Sequence, residues 1–98
     1  MVTSVLQFSS LNDVRDYVNE IFCNYYQLQF GAFQMTERLL RRGGKPCGIH
    51  YCLYGPRAVR FTAIWETERN RILFYDSAGE RFLKTQVMSA PELNRVAA

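Results

Sequence analysis

The sequence predicts an α+β fold, with one N-terminal amphipathic helix packed on a twisted antiparallel meander of four to five strands. Three observations carry that expectation. Apolar residues recur at helical spacing between positions 11 and 25. From residue 47 onward, short runs rich in β-branched and aromatic residues follow one another. The turn signals between those runs are brief, and brief loops join antiparallel neighbours.

The chain has 98 residues, enough for a single domain over 1–98, with 89–98 as a tail. Hydrophobic residues make up 48% and aromatics 14%, which supplies a core and argues against disorder. No apolar run approaches the ~20 residues needed to cross a bilayer. The opening MVTSVLQFSS lacks the positive and extended apolar regions of a secretory signal. Three cysteines, an odd number, then imply free thiols and a cytoplasmic setting.

Val2–Phe8 can form a short first strand. Ser10 is placed to cap a helix, and Asp13 stands where a capping-box acid belongs. Leu11, Val14, Val18, Ile21, Phe22 and Tyr25 form the apolar stripe of that helix, which ends near Tyr26. Arg15, Asp16, Asn19 and Glu20 take the wet side. Residues 33–42 contain good helix formers, yet Phe33, Met35 and Leu39 also alternate, and Gly43-Gly44 suits a two-residue hairpin. The meander downstream tips the reading to a strand.

Strands follow at Cys47–Tyr54, Arg57–Glu66, Asn70–Asp76 and Arg81–Val87. In the second of these, Val59, Phe61, Ala63 and Trp65 face the helix, with Arg60, Thr62, Ile64 and Glu66 opposite. The run Arg71-Ile-Leu-Phe-Tyr75 is apolar on both faces. Something must therefore cover the second face there: the N-terminal segment, the tail or another subunit. The tail Ser89–Asn94 can form a short capped helix or fray.

KPCGIHYC, at 45–52, holds two cysteines and the only histidine. Strand alternation puts His50 and Cys52 on one face and Cys47 on the other, unless a bulge near Gly48 shifts the register. Zinc would need all three cysteines and His50 to converge, or a carboxylate to join them, so no metal and no cofactor are expected. A Cys52 nucleophile with His50 as its base would lack an evident oxyanion site and orienting group. The plainer reading is a strand carrying small apolar thiols.

Charge is uneven beneath the net +3. Residues 1–30 carry Arg15 against Asp13, Asp16 and Glu20. Residues 31–62 carry Arg38, Arg41, Arg42, Lys45, Arg57 and Arg60 against Glu37 alone. Arginine's planar fork suits phosphate and carboxylate.

Three functional expectations follow, in order. The first is a small non-enzymatic interaction domain, a possible homodimer joined through the second sheet face near Ile64, Ile72 and Phe74. The alternative is a nucleic-acid-binding domain that uses Arg38, Arg41, Arg42, Lys45 and Arg60, with Tyr25, Tyr26, Tyr51 and Tyr54 nearby in sequence. The third is a ligand-binding or thiol-enzyme site at His50 and Cys52. None involves a membrane.

Overall fold

The computed structural model describes residues 2–90, with the backbone alone for 2–6 and 89. The element order is β1 (Val2–Gln7), α1 (Leu11–Tyr26), β2 (Met35–Arg42), β3 (Lys45–Tyr54), β4 (Arg60–Glu66), β5 (Arg71–Tyr75) and β6 (Arg81–Ser89), with a 3-10 turn at Pro56–Ala58. The strands form one sheet in the order β1-β6-β5-β4-β3-β2. Strands β2 to β6 are an antiparallel meander, and β1 closes the far edge by pairing parallel to β6. The fold class is the expected one.

Helix α1 forms where its cap and stripe dictate. Ser10 Oγ accepts from the Asp13 amide at 3.2 Å, and the Asp13 carboxylate accepts from the Ser9 amide at 3.0 Å. Two otherwise orphaned donors are thereby satisfied. Val14, Val18 and Phe22 are fully buried against the sheet, each worth about 1.5–3 kcal/mol relative to exposure. The helix stops at Gln27, whose left-handed backbone closes a bond to the Cys23 carbonyl.

The ambiguous stretch is a strand. Gly43 and Gly44 both have positive φ, 59° and 78°, the geometry of the hairpin turn that matches strand twist. The meander prevails over helix propensity because β3 offers β2 a full hydrogen-bonding partner.

Two bulges re-aim side chains. Cys47 is the extra residue between the pairs Leu40–Gly48 and Arg41–Pro46. Phe82 is the extra residue between Phe74–Leu83 and Tyr75–Arg81, and it stacks on Tyr25 with centroids 3.9 Å apart. Gly48 admits no side chain, because a Cβ there would collide with the Trp65 carbonyl.

The core lies between helix and sheet. Phe22 meets Phe74 edge-on at 5.7 Å, and Tyr26 stacks on Phe61 at 3.6 Å. The Tyr17 hydroxyl and the fully buried Thr85 hydroxyl share a hydrogen bond of 2.6 Å. Phe61, Ala63 and Trp65 face the helix as expected, and all are buried.

One expectation fails here. Ile72 pairs with Trp65 and Phe74 with Ala63, and both are fully buried on the helix side. They cannot form an interface on the second face. Strand alternation gives that face Leu73, opposite Ile64. The N-terminal segment does not cover the second face either, because β1 lies beside β6 within the sheet. The expected behaviour of 89–98 falls largely outside the described residues.

Candidate functional site

Among the described residues no helix lies over the second sheet face, and its side chains fall into cross-strand rows. The central row runs Arg38, His50, Ile64, Leu73 and Lys84. Its ends are separated by four strand spacings, about 19 Å. Toward the 55–58 end lies the row Thr36, Cys52, Thr62 and Tyr75, and beyond it the pair Tyr54–Arg60. Toward the hairpin tip lie Leu40, Gly48, Glu66, Arg71 and Gln86.

The apolar part of this face is small. Leu73 is only 4% exposed and Ile64 is half-buried. Polar chains surround them: Lys84 and His50 across the strands, Arg71 and Glu66 along them. Arg71 donates to Glu66 at 3.0 Å in the best-shielded ion pair among the described residues. Arg38, Arg60 and Lys84 make no ion pair among the described residues. The guanidinium of Arg60 sits over the Tyr54 ring, 5.4 Å from its centroid.

The five basic residues singled out from the sequence do not gather into one patch. Arg38 and Arg60 share the open face, with their backbone positions about 17 Å apart by strand geometry. Arg41, Arg42 and Lys45 stand at the hairpin tip. Arg42 is paired there with Glu68 at 3.2 Å, because the 43–44 and 67–70 turns lie at the same end of the sheet. Sequence reasoning missed Arg71 and Lys84 on the open face; alternation from Leu73 along β5 would have found Arg71, but Lys84 depends on the β5–β6 register, which the Phe82 bulge shifts. Of the four tyrosines, only Tyr54 reaches this face. Tyr25, Tyr26 and Tyr51 lie on the helix side, and Tyr75 joins the open face instead.

His50 and Cys52 share the open face as expected. Burial, with Arg38 as the cross-strand neighbour, holds the His50 pKa below its ordinary value. Cys52 is 8% exposed. Cys47, turned by its bulge, lines a cleft of about 190 Å3 with Leu40, Arg42, Ile64 and Glu68. Cys23 donates to Asn19 within the helix at 3.4 Å, and burial pushes its thiol pKa up. All three thiols are free, and no group of three or more His, Cys, Asp or Glu side chains able to hold a metal occurs among the described residues. Among the described residues no helix is long and apolar enough to cross a membrane.

Two hydroxyls are buried: that of Tyr51 has no hydrogen-bond partner among the described residues, and that of Tyr26 lies against the Ser77 backbone amide. Burial pushes the Tyr51 phenol pKa up, and Glu37 adds to the effect. The Tyr26 phenol is pushed up to about 12 by burial, with Asp76 contributing. Arg57 and Ala58 both hold left-handed backbones, with φ of 60° and 61°. Such a conformation costs a non-glycine residue roughly 1–2 kcal/mol.

No family model matches the chain, and neither a curated protein nor a solved structure matches it.

Proposed function

We propose that this chain is a binding domain whose open sheet face takes a single-stranded nucleic acid. The observation that carries the reading is the charge of that face, with Arg38, Arg60, Arg71 and Lys84 against Glu66 alone. His50, Tyr54 and Tyr75 lie among these cations and offer ring faces for bases. Cations that follow a backbone and aromatics that stack bases are the two parts of a sequence-tolerant single-strand platform. Self-association through the same face loses ground, since Ile72 and Phe74 belong to the core.

The test is fluorescence anisotropy of a labelled random single-stranded oligonucleotide at two salt concentrations. Binding should weaken as salt rises, because phosphate contacts release counterions. Replacing Arg38 and Lys84 together with alanine should lower the salt slope by about 1.4, at roughly 0.7 per contact. Arg41→Ala with Arg42→Ala, at the hairpin tip, should change it less. Absence of binding at low salt, or a slope unmoved by the open-face pair, removes the reading. A dimer seen by light scattering and dissociated by Leu73→Asp would return the face to self-association.

A further inference from the structure

β2 is the outer strand of the sheet, and among the described residues no strand pairs with its far side. The Tyr54 amide donates to the Gln34 carbonyl at 2.9 Å, which sets the phase of the β2–β3 ladder. Gln34, Thr36, Arg38 and Leu40 therefore exchange bonds with β3, while Met35, Glu37, Leu39 and Arg41 turn their amides and carbonyls outward. Pro46, which has no amide proton to give, stands opposite Arg41 as this phase requires.

An open edge of this kind is a template for another strand, and proteins block such edges with short strands, prolines or edge bulges. β2 runs for eight residues without a proline, and the Cys47 bulge falls on β3 instead. Charge alone guards the edge, and the pattern of that charge is self-complementary. Two copies of β2 can pair antiparallel about a two-fold axis, and the residue on the axis sets every partner. An axis at 37 opposes Glu37 to Glu37, one at 38 Arg38 to Arg38, and one at 41 Arg41 to Arg41. An axis at 40 opposes Arg38 to Arg42 twice. Only the axis at Leu39 opposes no like charges. It sets Glu37 against Arg41 twice, Arg38 against Leu40, Thr36 against Arg42, and Leu39 against itself. Opposite charges directly across a strand pair stabilise it and like charges destabilise it.

The helix side of the edge suits the same axis. A recess of about 470 Å3 lies there, lined by Leu11, Asn12, Glu37, Leu39 and Ile49. Glu37 meets Arg15 at 3.6 Å, with both side chains nearly half exposed, so its carboxylate is open to a second cation. Arg41 makes only a long bond of 3.5 Å, to the Gly44 carbonyl, and is exposed.

We propose that β2 pairs with β2 of a second copy about an axis at Leu39, joining the two six-stranded sheets into one. About six backbone hydrogen bonds form, two at each of the pairs 37–41, 39–39 and 41–37. The two Leu39 side chains meet between the two recesses. This inference does not depend on the open-face reading, because the pairing runs along the sheet edge and leaves that face uncovered.

The test is sedimentation equilibrium of the full chain and its variants. The native chain should form a dimer that dissociates on dilution. Glu37→Arg opposes arginines at two places and Arg41→Glu opposes glutamates at two, so each alone should dimerise about tenfold or more weakly. An equimolar mixture of the two restores both opposite-charge pairs and should form a heterodimer with near-native affinity, which a mere folding defect would not allow. Leu39→Pro deletes an outward amide that β3 does not use, and should abolish the dimer. Leu73→Asp, on the open face, should leave it intact. The proposal is overturned if the native chain stays monomeric, if either charge variant dimerises as the native chain does, or if their mixture stays monomeric. A dimer broken by Leu73→Asp alone would place the interface on the open face and overturn it too. So would a monomeric chain whose β2 edge binds an extended acidic peptide.

Discussion

On the helix-covered face of the sheet, the row Ile49, Trp65, Ile72 and Thr85 is sealed, every member at most 5% exposed. One residue along each strand, the row Arg38, His50, Ile64, Leu73 and Lys84 looks the other way, with Arg38 in solvent and only Leu73 buried. The two rows share backbones and hydrogen bonds and differ only in the pleat. On the first, aromatic and aliphatic chains interlock with Val14, Val18 and Phe22 of the helix. On the second, a narrow apolar centre is bracketed by cations. Stability is therefore concentrated on one side, and the other is left to carry charge at little structural expense.

Truncation on the two sides gives the sharpest contrast. Phe74→Ala, which removes a ring packed on Phe22, should destabilise by about 3–5 kcal/mol. Ile64→Ala, on the open face and half-buried, should cost about 1 kcal/mol. Urea unfolding checks both, and equal losses would mean that the open face is as tightly packed as the core.

A smaller effect of opposite sign is expected within the core. Tyr51→Phe deletes a fully buried hydroxyl that lacks a partner, and the chain should gain about 1 kcal/mol from losing that desolvation penalty. A loss of stability on the same scale would show that the hydroxyl is satisfied in solution.

The smallest effect is a pH dependence from the open face. The folded-state pKa of His50 lies below its ordinary 6.5. Between those two values the unfolded chain binds more protons, so stability falls as pH drops below 6.5 and is flat above it. His50→Gln should flatten that fall, as read by denaturant midpoints at pH 8, 6 and 5. An unchanged profile would place the titrating group elsewhere. Oligonucleotide binding should move the other way and tighten as His50 gains its charge.

The helix was legible to the residue because both of its signals are local, a cap at Ser10 and a stripe of period 3.6. The Asp76 turn was legible for the same reason, whereas the Gly43-Gly44 hairpin was chosen over a helix end only through the meander downstream. The open-face assignment was half right. Alternation was applied correctly to β4, and the same rule puts Leu73, rather than Ile72 and Phe74, beside Ile64 once β4 and β5 are in register. The recess between the 55–59 connection and the 76–79 turn left no mark in the sequence. Its parts are Tyr26 at a helix end, Arg57 in a short connection and Ser77 in a turn, and nothing in their spacing brings them together.

The sequence by itself determined the helix, the antiparallel run of strands after residue 47 and which residues of β4 face inward. It left 33–42 open between helix and strand and started β4 at Arg57, inside the 3-10 turn. The outcomes it determined depend on caps, periodicity and turn chemistry, all of which act over a few residues. Only the tertiary structure decided that β1 pairs parallel to β6, that bulges at Cys47 and Phe82 re-aim those side chains, and that Glu68 neutralises Arg42. These contacts join residues far apart along the chain, in a register that packing of the whole sheet against α1 selects.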